Sequence, residues 1–302
     1  MKRSTRRNLL IGFSWLSIAL LACGCASKTC TFIVASDLHE PTKPGSGTPA
    51  DFRIMAEAIR SVGPGEFMLT PGDLGCAEQV RATLDELMGP EYPWYVVPGN
   101  HDIVEPGCMT WIRQNNEGGR KLPRIVRSGP PGAVETCYSF DYGDAHFVAI
   151  NEYYDGQHDQ QKGGAVSDAL YRWLEEDLSS NRKPIIFVFG HEPYLPLPDM
   201  DTGRLRHRGD SLDANPAEQQ RFWSLLRAHN VTAFICGHTH CVSVAKFNGV
   251  WQLNCGITFQ PAKPDALGTF LRIRIDSGRV FCDVYRGTGS KPWELTYSEQ
   301  LR

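Results

Sequence analysis

Residues 31–39, TFIVASDLH, are a short run of β-branched and aromatic residues that ends in a polar cluster. The apolar part, residues 31–35, predicts a buried strand because such residues favour the pleated backbone. Asp37 and His39 stand two positions apart, and side chains two apart on an extended segment point the same way. This stretch therefore predicts a strand that delivers a carboxylate and an imidazole to one place.

The same order of strand and polar cluster recurs further along the chain. Residues 67–73 read FMLTPGD and residues 94–102 read WYVVPGNHD. Segments with helical spacing of apolar residues, 51–62 and 77–88, lie between the predicted strands. Strands and helices in alternation imply parallel strands with right-handed crossovers, whose ligands bind beyond the carboxyl ends of the strands. The three polar clusters are therefore predicted to meet at one edge of an α/β sheet.

The second half of the chain repeats this pattern after an extended section. An apolar strand at 184–189 is followed by Gly190-His191, and a strand at 231–236 is followed by Gly237-His238-Thr239-His240. The Asn248-Gly249 pair predicts a hairpin turn. Other predicted strands are 138–141, 147–151, 270–275 and 280–285, and other predicted helices are 169–178 and 216–228. Because no internal repeat or low-complexity linker is present, we expect one domain at 29–290, followed by a C-terminal tail at 291–302.

The polar residues at the strand ends are candidate metal ligands, although each alone has a structural alternative. Asp37 or Asp73 could cap a helix, Asn100 could be a turn residue, and a lone histidine such as His191 could be part of the hydrogen-bonded interior. Five of the nine histidines nevertheless fall at predicted strand ends. Imidazole and carboxylate together suit zinc, iron or manganese better than calcium or magnesium. The joint pattern favours a metal site.

The ordered set of motifs resembles the calcineurin-like metallophosphoesterase superfamily over about residues 31–255. The motifs are Asp37-x-His39, Gly72-Asp73, Gly99-Asn100-His101-Asp102, Gly190-His191 and Gly237-His238-Thr239-His240. The resemblance implies a four-layer α/β fold, in which a central β-sandwich of mixed sheets is flanked by helices. It also implies two metal ions, drawn from manganese, iron and zinc.

The resemblance also implies a role for each residue. The first metal would be bound by Asp37, His39 and His240, the second by Asn100, His191 and His238, and Asp73 would bridge both. A metal-bound hydroxide would attack phosphorus. His101 would not be a ligand but would donate a hydrogen bond or a proton to the phosphate or leaving oxygen, and Asp102 would orient it.

Within the superfamily, the sequence departs from one branch. Purple acid phosphatases place a tyrosine three residues after the bridging aspartate, and this chain has Cys76 there. Assignment to that branch is therefore disfavoured. The motifs also match the cyclic-nucleotide and glycerophosphodiester branch, so phosphodiesterase activity is preferred over phosphomonoesterase activity.

The substrate residues are less well defined by the sequence. The expected substrate is a small phosphate ester or a nucleotide-like molecule. Asn151 and Tyr153 lie in one loop that could contact it, and Arg204 and Arg206 lie in another, where they could grip a second phosphate. The alternative is that both loops are solvated surface with ordinary charges.

Two other functions compete with phosphate ester hydrolysis. One is a catalytically inactive, surface-anchored binding protein on the same fold, which should lack a ligand or His101; all are present in this chain. The other is a metal-dependent hydrolase of a non-phosphate ester. The formal net charge of −3 disfavours specific nucleic-acid binding, since no basic excess is available to neutralise phosphates.

The N-terminus predicts export. Basic residues precede the apolar run 9–22, which is too short to span a bilayer and is typical of a signal peptide. Arg6-Arg7 resembles a twin-arginine signal, and Leu20-Leu21-Ala22-Cys23 resembles a lipobox that would lipidate Cys23 and anchor the chain to a membrane. We therefore expect an export segment at 1–26 and a periplasmic or membrane-anchored protein. Some of the ten cysteines would suit disulfides in that oxidising compartment.

Overall fold

Two mixed β-sheets form the centre of the structure, a computed structural model that describes residues 29–38, 49–105, 107–159, 163–258 and 267–302. The predicted export segment at 1–26, with Cys23, lies outside these ranges. So does His39.

The strands supply both sheets. They are β1 (Cys30–Val34), β2 (Met68–Pro71), β3 (Trp94–Val97), β4 (Ile125–Ser128), β5 (Tyr138–Tyr142), β6 (Ala145–Ala149), β7 (Ile185–Phe189), β8 (Ala233–Cys236), β9 (Val242–Phe247), β10 (Val250–Cys255), β11 (Gly268–Asp276), β12 (Arg279–Gly287) and β13 (Glu294–Gln300). The helices are α1 (Pro49–Val62), α2 (Ala77–Met88), α3 (Asn100–Val104), α4 (Cys108–Asn115), α5 (Asp168–Ser180) and α6 (Pro216–Ala228). Short 3₁₀ turns lie at Glu117–Gly119 and Leu212–Ala214.

The first sheet has the strand order β13-β12-β11-β1-β2-β3. The strands β1, β2 and β3 are parallel, as the alternation of strands and helices predicts, whereas β11, β12 and β13 add antiparallel strands beyond β1. The parallel register places the polar residues that follow β1, β2 and β3 at one edge.

The second sheet has the order β4-β5-β6-β7-β8-β10-β9. Its central strands β6, β7, β8 and β10 are parallel, and the outer pairs are antiparallel. The hairpin of β9 and β10 turns at Asn248 and Gly249, both at positive φ, as the sequence predicts. The carboxyl ends of β7 and β8 carry the second group of polar residues.

Aromatic side chains fill the space between the sheets. Phe32 and Phe67 of the first sheet stack with ring centroids 5.1 Å apart, and Phe32 meets Phe147 of the second sheet edge to face at the same distance. Phe147 in turn stacks on Phe187 at 5.2 Å. These rings are fully buried, so their packing between the sheets stabilises the sandwich.

Helices cover the outer face of each sheet. Apolar residues of α1 and α2 pack against the first sheet, and those of α5 and α6 pack against the second. Side-chain caps define the starts of the latter two helices: Ser167 accepts from Leu170 N at 3.3 Å, and Asn215 accepts from Glu218 N at 3.4 Å. The predicted four-layer α/β fold with a central sandwich of mixed sheets is confirmed.

Two expectations about the chain are corrected by the structure. Residues 291–302 are not a tail, because β13 pairs with β12 as the edge strand of the first sheet. The eight cysteines in the described ranges form no disulfide with one another. None of the described helices is long and apolar enough to cross a membrane.

Candidate metal centre

The polar residues at the strand ends meet at one edge of the sandwich. Asp37, Asp73 and Asn100 follow the parallel strands β1, β2 and β3 of the first sheet. His191 follows β7 and the pair His238 and His240 follows β8, both in the second sheet. The site therefore lies where the carboxyl ends of both sheets face each other.

The amide oxygen of Asn100 is the meeting point of two imidazoles. Oδ1 of Asn100 is 3.1 Å from Nε2 of His191 and 3.1 Å from Nδ1 of His238. The two imidazole rings are 5.0 Å apart and nearly perpendicular. Three potential ligands from β3, β7 and β8 thus converge.

Two buried aspartates complete the cluster. Oδ2 of Asp73 is 3.5 Å from Nε2 of His191, and Oδ1 of Asp37 is 3.2 Å from Nε2 of His240. One ligand atom from each of Asp37, Asp73 and His191 lies within 4.8 Å of the other two. Because neither aspartate is more than 2% exposed, the cluster needs positive charge to offset the cost of burying two carboxylates.

The hydrogen bond behind His191 suits it to bind a metal. Its Nδ1 is 2.8 Å from the carbonyl oxygen of Pro71, and since a carbonyl can only accept, Nδ1 carries the proton. In the neutral ring, Nε2 therefore presents its lone pair to Asn100 and Asp73, which is the arrangement of a metal-binding histidine.

The local electrostatics also favour a cation at this point. Burial lowers the pKa of His191, but the charges of Asp73 and Asp37 outweigh it and raise that pKa to about 9. Burial and the neighbouring His191 lower the pKa of His238 to about 2, and burial lowers the pKa of His240. The latter two rings are therefore neutral, as metal ligands must be. Carboxylate, imidazole and amide oxygen form a donor set that fits a metal ion of the transition series.

The backbone is strained at these residues. Asp37, Asp73, His238 and His240 all have φ between 52° and 68°, in the left-handed region. For residues with a Cβ this conformation is uncommon and costs about 1–3 kcal/mol each. Four such residues from three separate loops at one point are typical of a functional site.

Two glycines allow the loops to approach the carboxylates. A Cβ at Gly99 would overlap the carboxylate of Asp73, and a Cβ at Gly237 would overlap Ser36 and the carboxylate of Asp37. The glycines before Asn100 and His238 are therefore required by close packing.

Hydrogen bonds to backbone amides tie the loops together. Oδ2 of Asp37 accepts from the N–H of His238 at 3.0 Å and from the hydroxyl of Ser36 at 2.7 Å. Oδ1 of Asp73 accepts from the N–H of His101 at 3.0 Å. Each aspartate thus fixes a neighbouring loop while its other oxygen faces the cluster.

The predicted catalytic pair occupies the first turn of α3. His101 is partly exposed beside the cluster. Asp102 is buried, and its carboxylate accepts from the N–H of Gly99 at 2.8 Å and from that of Leu74 at 3.0 Å. The hydrogen bonds of Asp102 therefore join the β2 and β3 loops rather than orient His101.

Buried acids that the sequence analysis does not single out support His191. Oε2 of Glu152 accepts from the N–H of His191 at 2.7 Å and from that of Glu192 at 2.6 Å. Glu192 in turn accepts from the hydroxyl of Tyr153 at 3.0 Å and from Gly164 N at 2.8 Å. In the sequence, the motif Gly190-His191-Glu192 after β7 is the only signal for this network. The motif does not show which residues bond to the two glutamates.

The predicted substrate residues divide into two groups. Asn151 and Tyr153 are fully buried, and their polar groups bond to Thr136 and Glu192. Neither has surface to offer a substrate, so this expectation is corrected. Arg204 and Arg206 are partly exposed, and the charge of Arg206 acts on both Asp37 and His240.

Comparisons with known proteins agree with this geometry. The family model of calcineurin-like phosphoesterases matches residues 30–242. A "probable cyclic nucleotide phosphodiesterase" of Moraxella catarrhalis is 22% identical over 226 residues, which cover 72% of this chain and 73% of that protein. Purple acid phosphatase 22 of Arabidopsis thaliana is 26% identical over 58% of this chain, a match that spans only 38% of its own length.

A solved structure shares the fold. The structure of PhoD superposes with a TM-score of 0.60 at 13% identity and covers 91% of this chain and 70% of its own. The family match covers most of the chain and includes every described strand end that carries a candidate ligand. The chain therefore belongs to the calcineurin-like phosphoesterase family and is a metal-dependent phosphoesterase.

Proposed function

We propose that the chain hydrolyses small phosphodiesters with two metal ions bound at this centre. The proposed ligands of the first ion are Asp37, His39 and His240. Those of the second are Asn100, His191 and His238, and Asp73 bridges the two. The proposed metals are manganese, iron or zinc.

The observation that carries the proposal is the spacing of the cluster. One ligand atom from each of Asp37, Asp73 and His191 lies within 4.8 Å of the others, while Asn100 lies 3.1 Å from both His191 and His238. A bridging role for Asp73 is supported by its position close to both His191 and Asp37. Its Oδ2 faces His191, and its Oδ1 faces the loop of Asn100 and His101.

Bound metal ions would supply two effects: they lower the pKa of a coordinated water, and they offset charge on the phosphoryl oxygens. The protein's own residues would position the ligands and supply the proton. Asp73 and Asp37 hold their loops rigid through backbone amides, and the carbonyl of Pro71 holds the tautomer of His191. Partly exposed His101 is proposed to donate a proton or hydrogen bond to the leaving oxygen.

Preference for a diester is a proposal supported by one of the similar proteins, which bears the name of a cyclic nucleotide phosphodiesterase. Cys76 supports a site unlike that of purple acid phosphatases, because a thiol replaces the tyrosine expected there. In the structure Cys76 is a partly exposed cysteine just before α2.

The direct test compares bis(p-nitrophenyl) phosphate with p-nitrophenyl phosphate. The protein without residues 1–26 is stripped of metal and then reconstituted with manganese, zinc or iron. We expect activity that returns only with metal and a higher kcat/KM for the diester. Activity that survives complete metal removal would rule out the proposed mechanism, and a preference for the monoester would rule out the diesterase assignment.

His101 offers a separate test of the proposed proton donor. We expect His101→Ala to lower kcat by about 10²–10⁴-fold, the usual contribution of a general acid, while the metal content is unchanged. Replacement of the exposed His158 by alanine is the matched control and should leave kcat unaltered. If His101→Ala released the metals from a folded protein, its assignment as a non-ligand would be wrong.

Export through a twin-arginine signal and anchoring by a lipidated Cys23 are also proposed. Cys23→Ala should shift the full-length protein from the membrane fraction to the soluble periplasmic fraction of an expressing bacterium. A membrane fraction that is unaffected by this substitution would refute lipidation at Cys23.

A further inference from the structure

The segment that joins β7 to α6 includes a turn, residues 199–204, that is fixed beside the metal centre. Oδ2 of Asp199 accepts from the N–H of Val242 at 3.0 Å, and the N–H of Met200 donates to the carbonyl of Val242 at 3.0 Å. Val242 stands two residues after His240. The turn is therefore tied to the same loop that carries two of the proposed metal ligands.

A buried ion pair anchors this turn to the other sheet. Arg286 of β12 lies 3.3 Å from Asp199, and both side chains are no more than 5% exposed. Arg286 also pairs with Asp201. An anchor of this kind restricts the loop, because removal of Arg286 would leave the buried charge of Asp199 without its cation.

The anchored turn places Arg204 next to the site. The carbonyl of Arg204 accepts from the N–H of Asp199 at 2.8 Å and from the thiol of Cys241 at 3.3 Å. Cys241 directly follows His240. The residue directly after Arg206 also lies beside the site, since the ring of His207 is 4.2 Å from the ring of His238.

The guanidinium groups of Arg204 and Arg206 make no hydrogen bond or ion pair with any residue in the described ranges. Arg208, in the same loop, behaves differently: it donates to the carbonyl of Pro196 at 3.3 Å and lies 3.5 Å from Asp213. Arg206 is half-buried, and burial and the nearby charge of Arg204 both lower its pKa. Two cations thus lie near each other beside the metal centre, and neither forms an ion pair with an acidic residue in the described ranges.

We infer that Arg204 and Arg206 form a subsite for a second phosphate group. The preferred substrate is then a small phosphodiester that also carries a phosphate monoester. A phosphate monoester has a charge of about −1.5 to −2 at pH 7, which matches two guanidinium groups, and each guanidinium can bind it through two parallel hydrogen bonds. The inference rests on the proposed function, since the metal centre would hold the phosphate that reacts.

The test measures binding, which does not depend on turnover. Calorimetry compares thymidine 3′,5′-bisphosphate with thymidine 5′-phosphate on the manganese-loaded protein. We expect the bisphosphate to bind at least about tenfold more tightly, a difference of about 1.4 kcal/mol. The double variant Arg204→Gln, Arg206→Gln should lose this preference, and the control Arg208→Gln should keep it.

Three results would overturn the subsite: no preference in the wild-type protein, a preference that survives in the double variant, or a double variant that weakens both ligands equally. The last result would mean that the arginines bind the phosphate at the metals instead.

A hydrolysis assay with two substrates distinguishes an error in the subsite from an error in the proposed function. The substrates are thymidine 5′-(p-nitrophenyl phosphate) and the same ester with a 3′-phosphate. If neither is hydrolysed while the binding preference persists, the proposed hydrolysis fails and the subsite stands. If the wild-type protein hydrolyses both with equal kcat/KM and binds both nucleotides equally, the subsite fails and the hydrolysis stands.

Discussion

Two buried sites in this chain each bring a histidine close to two aspartates, yet the histidines differ in the hydrogen bonds of their ring nitrogens. In the first, His146 is sandwiched between acids: Nδ1 is 2.7 Å from Asp141 and Nε2 is 2.8 Å from Asp177. Asp177 also accepts from Ser139 at 2.6 Å. Burial lowers the pKa of His146, but the two carboxylates raise it to about 9. This cluster is closed, because its charges compensate one another.

The second cluster, at the metal centre, is open. Nδ1 of His191 donates to the carbonyl oxygen of Pro71, whereas Nε2 is 3.5 Å from the carboxylate of Asp73, beyond hydrogen-bonding distance. The backbone at both Asp37 and Asp73 is in the left-handed region. The same residue types therefore serve stability where both ring nitrogens of a histidine bond to carboxylates, and serve metal binding where a ring nitrogen of His191 faces Asn100 and Asp73 instead. Substitutions in the two clusters should have opposite effects on activity and stability.

The largest expected effect is loss of turnover in the open cluster. Asp73→Asn should lower kcat/KM by at least about 1,000-fold, because it removes the charge that holds the metals, a contribution of several kcal/mol. The metal-free variant should be as stable as the metal-free wild-type protein, since one of two buried carboxylates is neutralised. The measurements are kcat/KM and urea unfolding in the presence of a chelator. Turnover within tenfold of wild type would show that Asp73 does not bind a catalytic metal.

A substitution in the closed cluster should instead lower stability and leave turnover unchanged. His146→Leu should lower the free energy of unfolding by about 3 kcal/mol, because it leaves buried Asp177 without its partner. Asp141, which is 33% exposed, contributes less. The kcat of the folded, metal-loaded variant should be unchanged, and urea unfolding alongside the same assay measures both quantities. A variant of wild-type stability with impaired turnover would reverse the assignment of the two clusters.

The pH dependence of stability gives a smaller effect. Because the pKa of His146 is raised to about 9 in the folded state, above about 6.5 for unfolded histidine, its stabilising contribution is complete below about pH 6.5. That contribution is lost as the pH rises through 9. The stability difference between wild type and His146→Leu should therefore shrink by about 2–3 kcal/mol over this interval, since each pKa unit corresponds to about 1.4 kcal/mol.

Urea unfolding at pH 6, 7.5 and 9 in the presence of a chelator measures this difference, with His158→Ala as the exposed control. A difference that grew with pH would mean that the cluster is stabilised by neutral rather than protonated His146.

The parts of the fold that the sequence predicts correctly depend on local signals. The apolar runs before Asp37, Asp73 and Asn100 mark strands whose burial on both faces leaves little ambiguity, and Asn248-Gly249 fixes the hairpin. By contrast, β13 has a polar sequence with alternate residues exposed, since it is an edge strand. Its pairing with β12 is a tertiary contact that local propensity does not reveal.

The residues of the candidate site also divide into those that local sequence motifs predict and those that only tertiary contacts reveal. The proposed ligands are recognisable because each follows its strand in a short motif, whereas the network of Glu152, Glu192 and Tyr153 exists only once distant loops meet. The sequence predicts that Asn151 and Tyr153 lie in a loop that could contact the substrate. The structure buries them, since their polar groups find partners inside the protein.

The most direct test of the account is the metal content of the purified protein. Elemental analysis of wild type, Asp73→Asn and His146→Leu, each reconstituted with manganese and freed of excess metal, compares the open and closed clusters in one experiment. We predict two ions per chain in wild type and in His146→Leu, and less than one in Asp73→Asn. Equal metal content in wild type and Asp73→Asn would contradict the central claim that the open cluster is the metal centre.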